Sequence, residues 1–567
     1  MIFFLAQINP VVGDLEGNAK KILNIADKAS SDSVDLIITP ELSLWGYPPK
    51  DLLLKRDLVK NQYQILDQLA KEIKKKYGNL CITVGIAEII QDSFFPNLYN
   101  SIALIDNGDW KVIARKIILP TYEVFDEKRY FRSESKVSIF TKKIKNKTWK
   151  LGITICEDLW VNNDIEGRGI HKKNPISELK NKNIDMLLNF SASPYTFKKL
   201  ELRSQISSFA AKFLQVPLIY VNQVGANDNL IFDGNSFIID KNGFTIKQLK
   251  SFSEDIFKWS IYDSKNVKTE KKSSEISSIF EALVLGVKDY AKKCGFRTAL
   301  IGLSGGIDSA LVSAIATAAL GSENVYCVSM PSKWNSEHSK SDAKGLAERL
   351  KINLNTISID RLLDTFEDSF LKDLNFKAKG ITNQNIQSRI RGTLLMALAN
   401  QDKHLLLSTG NKSELAVGYC TLYGDMNGGL SVIGDLYKTN VFKLCNWLDS
   451  HESLNYRKLY KLDTKVKIIG ESIRSKAPSA ELGPDQFDTD SLPPYSILDN
   501  ILKGIIEEKK DLKLLLEDGF NKELILQIFS LIKKAEFKRK QAPPILKLSS
   551  QSLGSDWRIP IAISINP

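Results

Sequence analysis

The sequence predicts an α/β protein of two domains: a mixed-sheet domain over residues 1–262, a linker at 263–274 and a doubly wound parallel domain over 275–567. Three observations predict it. The first 260 residues alternate short β-rich runs with a few helical stretches, and some strands follow one another with only a turn between them. The run Asp263–Ser274 (DSKNVKTEKKSS) is polar and breaks every periodicity. Beyond it, strands and helices alternate regularly, the pattern of a parallel sheet with helices on both faces.

In chain order, the first half offers strands at Met1–Asn9, Val34–Glu41, Leu80–Ile89, Ile102–Ile105, Lys111–Leu119, Lys150–Cys156, Ile184–Phe190 and Pro217–Gln223. Helical periodicity marks Gly17–Ala29, Leu58–Lys76 and Phe197–Phe213. Asn107-Gly108 and Asn242-Gly243 are hairpin turn signals, which favour a mixed sheet. In the second half a long helix, Ile276–Cys294, precedes an alternation of Thr298–Leu303, Ser309–Ala319, Val325–Met330, Glu337–Leu350, Thr356–Ile359, Ile386–Asn400 and His404–Ser408. From about Tyr460 the chain is helical and looser, punctuated by Pro493-Pro494 and Pro543-Pro544.

Composition narrows the classes. With 43% hydrophobic and 25% charged residues the chain is ordinarily globular, so a fibre, a coiled coil and a disordered chain are excluded. No apolar run approaches the roughly 18 residues that a membrane span needs. The apolar start, MIFFLAQINP, has no basic region and no small-residue cleavage site, so it reads as a buried strand and the expected location is cytoplasmic. The six cysteines are dispersed, without a C-x-x-C pair, which disfavours disulfide frameworks and zinc ribbons. A net charge of +12 permits nucleic-acid binding, but the basic runs are scattered among acids, so anionic small molecules are the expected partners, with no nucleic acid and no membrane.

The most informative stretch is Gly302-Leu303-Ser304-Gly305-Gly306-Ile307-Asp308-Ser309, where an apolar strand ends in a Gly-rich turn and a helix follows at once. Such a turn brings backbone N–H groups and a helix N-terminus to a phosphate. The bland alternative is a tight turn with Asp308 or Ser309 as a helix cap. Neither G-x-x-x-x-G-K-[ST] nor G-x-G-x-x-G is present. Ser304-Gly305-Gly306-x-Asp308-Ser309 resembles the pyrophosphate loop of the N-type ATP pyrophosphatases, which split ATP between its α and β phosphates. Met330-Pro331-Ser332 with Ser336, Ser339 and Asp342, then Asn385–Arg391, Ser408–Glu414, Tyr423-Gly424-Asp425, Gly434–Thr439 and Pro478–Leu482 resemble, in that order, segments of the NAD synthetases. Singly each has a plain reading: Asn411 and Ser413 as helix caps, Gln387 and Arg391 as an i,i+4 surface pair. The resemblance implies an adenine nucleotide α-hydrolase-like domain in which Gly302–Ser309 and Thr409 bind ATP. It implies Mg²⁺ on Asp308 and Glu414, and deamido-NAD on Asn385, Lys538 and, as the alternative role of that residue, Glu414. Lys538 stands in Phe537-Lys538-Arg539-Lys540, which offers three basic candidates.

In the first half, Thr39-Pro40-Glu41 closes an apolar strand, so Glu41 emerges at its C-terminal end. Arg115-Lys116-Ile117-Ile118-Leu119-Pro120 places Lys116 within another strand, and Cys156-Glu157-Asp158 interrupts a third, presenting the thiol at a strand-end turn. Taken singly, Cys156 reads as a buried inert thiol and Lys116 or Glu41 as a surface charge. The ordered Glu–Lys–Cys set, with Phe125–Phe131, Asn189–Tyr195 and Val221–Ser236, resembles the nitrilase superfamily of carbon–nitrogen hydrolases, an αββα sandwich. The resemblance implies Cys156 as nucleophile, Glu41 as base and acid, Lys116 as the cation on the tetrahedral intermediate and Glu127 as a second carboxylate that orients Lys116 and the amide. Tyr122, Ser193 and Lys199 stand at positions that bind glutamine in the synthetase branch. The four histidines fall outside these segments, so a Cys–His arrangement is disfavoured.

Together the halves resemble the glutamine-dependent NAD synthetases almost end to end. The implied activity is ATP-dependent amidation of deamido-NAD through an adenylate, giving AMP and pyrophosphate, with ammonia from glutamine passed through a protected channel in a homo-oligomer. Lys333-Trp334-Asn335 and a less basic Ser555-Asp556-Trp557-Arg558 depart from the family pattern. Two other functions share parts of this pattern: the same loop serving another acceptor, as in GMP or asparagine synthesis, and an RNA-binding tRNA-modifying protein. The segments around Asn385 and Glu414 argue against the first, and the lack of cysteine pairs against the second.

Overall fold

The computed structural model of the chain describes residues 1–30, 34–91, 95–144, 146–160, 173–263, 274–483, 486–554 and 556–564. Most of the expected linker (264–273) and Ser555 lie outside the described residues. The chain divides into two compact units, Met1–Lys272 and Ser273–Pro567.

The first unit begins β1 (Ile2–Gln7), α1 (Leu15–Ser30), β2 (Leu36–Ile38), α2 (Arg56–Tyr77), β3 (Ile82–Ile89), β4 (Leu98–Asp106) and β5 (Asp109–Arg115). It continues through β6 (Ser138–Ile144), β7 (Lys147–Ile155), α3 (Pro175–Lys180), β8 (Met186–Ser191), α4 (Lys199–Leu214) and β9 (Leu218–Asn222). It closes with β10 (Val224–Asn227), β11 (Leu230–Asp233), β12 (Phe237–Ile239), β13 (Thr245–Gln248) and β14 (Asp255–Ser260). The strands form two six-stranded mixed sheets, in the orders β14-β1-β2-β3-β4-β5 and β13-β12-β9-β8-β7-β6, with β10 and β11 as a separate hairpin.

Side-chain alternation along a strand explains the layering. Phe3 and Leu5 of β1, Leu36 and Ile38 of β2, Met186 and Leu188 of β8, and Ile219 and Val221 of β9 share one core between the sheets. Phe4 and Ala6 of β1 and Ile37 of β2 face the opposite way, onto α1 and α2. Leu187 of β8, with Leu218 and Tyr220 of β9, faces α3 and α4. Each central strand is therefore apolar on both faces, and the unit is an αββα sandwich. Lys116 is a correction to the sequence reading: it stands one residue beyond β5, and the chain leaves the sheet there because the N–H groups of Ile117 and Ile118 turn to the Asp158 carboxylate.

The second unit runs α5 (Glu275–Lys293), β15 (Ala299–Gly302), α6 (Ile307–Leu320), β16 (Val325–Ser329), α7 (Glu337–Leu350) and β17 (Asn353–Thr356). Then follow α8 (Asp360–Leu374), α9 (Ile381–Asp402), β18 (Leu405–Ser408), α10 (Lys412–Val417), β19 (Leu430–Ser431) and α11 (Lys438–Leu448). The C-terminal part is helical: α12 (Leu454–Leu459), α13 (Glu471–Ser475), α14 (Tyr495–Ile506), α15 (Leu512–Glu517) and α16 (Lys522–Arg539). The sheet order is β17-β16-β15-β18-β19 and every pairing is parallel. Strand order reverses between β15 and β18, which opens a crevice at their carboxyl ends. The third strand lies at Asn353–Thr356, short of the expected Thr356–Ile359, and the sequence reading passes over α8, of which only Leu363 is buried. In the C-terminal part Leu498, Ile501, Leu502 and Ile505 of α14 pack on Ile525, Ile528 and Ile532 of α16 and on α10 at i, i+3, i+4 and i+7 spacing.

Candidate active sites

In the first unit, Glu41, Lys116, Glu127 and Cys156 are all buried. Lys116 Nζ donates to Glu41 Oε1 and Glu127 Oε1, each at 2.7 Å. Glu41 Oε1 also accepts from Asn100 Nδ2 at 2.7 Å, and its Oε2 from the Ala192 N–H at 3.0 Å. Glu127 Oε1 accepts from the Tyr47 hydroxyl at 2.8 Å, and its Oε2 is buried with no partner among the described residues. Cys156 follows β7 directly, with a left-handed φ of 47° that lifts it out of the strand at the sheet's carboxyl edge.

The charges act on one another. Burial opposes the Lys116 ammonium, but Glu127 and Glu41 outweigh it and hold the group well above its ordinary value. Burial pushes the Glu127 carboxyl up to about 7 against the pull of Lys116. Burial, then the Glu41 charge, push the Cys156 thiol far up, with Lys116 pulling the other way. A thiol held up in this way reacts only after a base takes its proton, and the Glu41 side chain is anchored in the same cluster.

The three residues expected at glutamine lie around this centre. The Tyr122 hydroxyl donates to both Glu157 oxygens, at 2.9 and 2.8 Å. Ser193 Oγ accepts from Arg203 Nε at 3.1 Å, and Arg203 is itself buried against Asp233 at 2.7 Å. Lys199 opens α4 with its Nζ 4.8 Å from the centre of the Trp160 ring. Asn100, Tyr47 and Asp158 hold this cluster without having been singled out from the sequence, because an Asn inside an apolar strand or a Tyr in a loop carries no local signal.

In the second unit the β15–α6 loop and the loop after β18 meet across the crevice in one cavity of about 280 Å³. Gly302, Leu303, Ser304, Gly306, Ile307, Asp308, Ser309, Thr409 and Glu414 line it. Gly305 lies behind the loop. Its φ is 81°, and a Cβ there would stand 2.2 Å from the Ser339 carbonyl oxygen, so only glycine lets the loop pass. Asp308 Oδ2 lies 2.5 Å and Glu414 Oε1 3.1 Å from Lys438 Nζ. Asn411 Nδ2 donates to Asp308 Oδ1 at 3.0 Å. Burial holds Glu414 up at about 7 against the pull of Lys438. Asn411 and Glu414 also form a capping box on α10, so the plain helix-cap reading holds for Asn411, while the Ser413 hydroxyl donates to Asp499 instead. Gln387 and Arg391 are not a surface pair: Gln387 is buried, and Arg391 is half-buried and lines the cavity with Nε on the Met330 carbonyl at 2.9 Å.

Asn385 and Lys538 do not line that cavity. They meet instead at the segment after α10, where Asn385 accepts from Thr421 Oγ1 at 2.9 Å and Lys538 Nζ donates to the carbonyls of Gly418 and Cys420 at 2.8 and 2.7 Å. Of its two basic neighbours, Arg539 is spent on Glu536 and α10 carbonyls, and Lys540 lies against Glu536 at 3.3 Å. No group of three or more His, Cys, Asp or Glu side chains with metal-site geometry occurs among the described residues. Asp308 and Glu414 converge on the Lys438 ammonium, however, and two carboxylates beside a glycine-rich loop suit Mg²⁺, which takes one or two carboxylates and completes its shell with phosphate and water.

Comparison with known proteins agrees with both halves. Residues 5–261 match the carbon–nitrogen hydrolase family model and residues 279–542 the NAD synthase model. The chain is 45% identical to the glutamine-dependent NAD(+) synthetase of Synechocystis sp. over 568 residues, 99% of each chain. The chain belongs to the glutamine-dependent NAD(+) synthetases. These are carbon–nitrogen ligases with glutamine as amido donor. A second relative, from Thermotoga maritima, is 38% identical over 98% of this chain and 97% of its own. The solved glutamine-dependent NAD+ synthetase of Acinetobacter baumannii, in complex with adenosine diphosphate, superposes with a TM-score of 0.75 at 35% identity, covering 99% of this chain and 98% of that one. No described helix is long and apolar enough to cross a membrane.

Proposed function

We propose that the first unit hydrolyses glutamine at Cys156 and that the second consumes the ammonia to convert deamido-NAD to NAD. The observation that carries the reading is the buried Lys116 ammonium held between Glu41 and Glu127 beside the Cys156 turn. Glu41 takes the thiol proton, and the thiolate attacks the glutamine amide carbon. Lys116 offsets the charge that develops on the carbonyl oxygen. The C–N bond breaks, Glu41 returns its proton to the departing ammonia, and a thioester to Cys156 remains. Water deprotonated by Glu41 then releases glutamate. The free Glu127 Oε2 is an acceptor for the amide N–H of the substrate, and Tyr122, Ser193 and Lys199 hold its amino-acid end.

In the second unit Gly302–Ser309 and Thr409 bind ATP, and the A. baumannii relative solved in complex with adenosine diphosphate supports an adenine nucleotide site in such a chain. Deamido-NAD is held outside the cavity by Asn385 and Lys538, its carboxylate reaches in to attack the α-phosphorus, and pyrophosphate leaves. Ammonia adds to the resulting acyl adenylate and AMP leaves. Asp308 and Glu414 would hold Mg²⁺, which neutralises phosphate charge when bound. The same reading includes an ammonia channel, a homo-oligomeric state and a cytoplasmic location.

The test compares wild type and Cys156→Ala in NAD formation from deamido-NAD, ATP and Mg²⁺, with glutamine or ammonium chloride as nitrogen source. Loss with glutamine alone supports the reading. Glutamine-driven synthesis by the variant would refute the assignment of Cys156, and AMP release with a different acceptor but none with deamido-NAD would refute the acceptor.

A further inference from the structure

We infer that Asp158 is a positioning residue that fixes the Lys116 ammonium and the Cys156 nucleophile in mutual register, an assignment resting on the roles of Cys156 and Lys116 proposed above. Lys116 lies just beyond β5, where the ladder no longer holds the chain. Its own N–H still reaches the Asn100 carbonyl at 2.8 Å. The next two N–H groups point away from the sheet, and Asp158 Oδ1 accepts both, from Ile117 at 3.0 Å and from Ile118 at 2.7 Å. Its other oxygen accepts the N–H of Ile155 at 3.0 Å. Ile155 immediately precedes Cys156, whose left-handed backbone has to be held by something other than the strand. One buried carboxylate thus joins the peptide units on the C-terminal side of the cation to the peptide unit that enters the nucleophile.

The chemistry of the link calls for a carboxylate. All three donors are backbone N–H groups, which favour the ionised Asp158 carboxyl against the burial that raises it to about 7, and both oxygens of that form accept. An amide of the same shape accepts with one oxygen and places an NH₂ against the remaining N–H, so one segment must move away. Side chains that act on the same carbonyl tolerate little displacement, and about 1 Å of misplacement costs on the order of 100-fold in rate. Glu41 and Glu127 are unaffected directly, because neither shares a hydrogen bond with Asp158 among the described residues.

The test is Asp158→Asn in the full chain, measured for glutamine hydrolysis, for NAD synthesis driven by ammonium chloride and for thermal unfolding. The expected result is a kcat for glutamine lowered by about 100-fold with KM held within about threefold, since the positions that bind glutamine are untouched. Ammonia-driven synthesis stays at the wild-type rate. If D158N yields no folded protein, Asp158→Ser, which keeps one acceptor and leaves room for water, is measured in the same way. A kcat for glutamine within about threefold of wild type overturns the inference. So does loss of folding and of ammonia-driven synthesis in both variants, which would make Asp158 a residue of the fold alone. Cys156→Ala, run alongside, separates the two readings. Full glutamine hydrolysis by C156A removes the nucleophile assignment and this inference with it, whereas a dead C156A beside a fully active D158N removes only the inference.

Discussion

Replacing Gly305 by Ala puts the phosphate loop to a quantitative test. At φ 81° the new residue sits in the left-handed region, which costs an alanine about 1–2 kcal/mol before any contact is counted. Its Cβ would stand 2.2 Å from the Ser339 carbonyl oxygen and 3.0 Å from the Ser339 carbonyl carbon. Both are backbone atoms in the first turn of α7, so no side chain can swing aside. Relief to ordinary contact needs a movement of about 1 Å, either of the loop or of the helix end, and such a displacement of a group that holds a reacting phosphate costs about 100-fold. G305A is therefore expected to lose about 100-fold in ammonia-driven NAD synthesis, assayed by NAD formation with ammonium chloride, and to unfold at a lower temperature. Gly306 provides the contrast in stability: its φ is −86° and a Cβ there meets only Ser304 Oγ, at 3.2 Å, so G306A is expected to leave the unfolding temperature unchanged. Ammonia-driven synthesis by G305A within a few-fold of wild type would refute the argument that the loop's path depends on this glycine.

Acidification is expected to switch off glutamine hydrolysis near pH 7, where Glu127, raised to about 7 by burial against Lys116, takes up a proton and no longer pairs as an anion with Lys116 beside Glu41 and Tyr47. Because its folded value lies above the ordinary one, the native state binds more protons through that window, so this carboxyl makes stability fall, not rise, between its ordinary value and pH 7; a pH–rate profile and a pH series of unfolding temperatures check the two opposite slopes. Arg203→Met leaves Asp233 buried without its cation and is expected to cost about 3–5 kcal/mol, measured by denaturant unfolding of the full chain. Asn335→Ser removes the amide that accepts from Ser332 and Arg391 and donates to Glu481 at 2.9 Å, and a several-fold rise in KM for ATP is the expected reading in a pyrophosphate-release assay. Lys116→Met strands two buried carboxylates and is expected to abolish glutamine hydrolysis and lower the unfolding temperature, checked by glutamate release and calorimetry.

Periodicity and turn chemistry carried most of the architecture. The polar run after Ile261, the two Asn-Gly hairpins and the β15–α6 glycine turn are local signals, and each corresponds to a feature of the fold or to chain outside the described residues. What the sequence hid was tertiary. Lys116 reads as a strand residue because Ile117, Ile118 and Leu119 continue the apolar run, and only the Asp158 carboxylate, 41 residues away, draws that run out of the sheet. The strand at Asn353–Thr356 has two residues that read as polar loop, since it is an edge strand paired on one side only. Gln387 and Arg391 have the spacing of a surface pair, and nothing local reveals that α9 buries Gln387 against Ser332 and turns Arg391 into the cavity. Gly305 and Gly306 are indistinguishable in sequence, yet one shapes the loop from behind and the other lines the cavity.

The two sites share one electrostatic device and use it differently. Each holds a lysine between two carboxylates beyond the carboxyl end of a strand: Lys116 with Glu41 and Glu127, Lys438 with Asp308 and Glu414. In the first unit the carboxylate side chains are 0% and 5% exposed, so the cluster is sealed from solvent. Such a cluster is preorganised: its hydrogen bonds and the position of its cation are set before substrate arrives, which is what stabilising a charge developing on one carbonyl oxygen requires. In the second unit the lysine is 4% exposed while Asp308 and Glu414 are 18% and 17% exposed toward the cavity. Those carboxylates keep faces open to anything the cavity admits, and burial already holds Glu414 at about 7, so its charge is the one a cation entering the cavity would secure. A closed pair suits a hydrolysis whose only charged intermediate is made on the enzyme, and an open one suits a reaction that brings its charge in with the nucleotide.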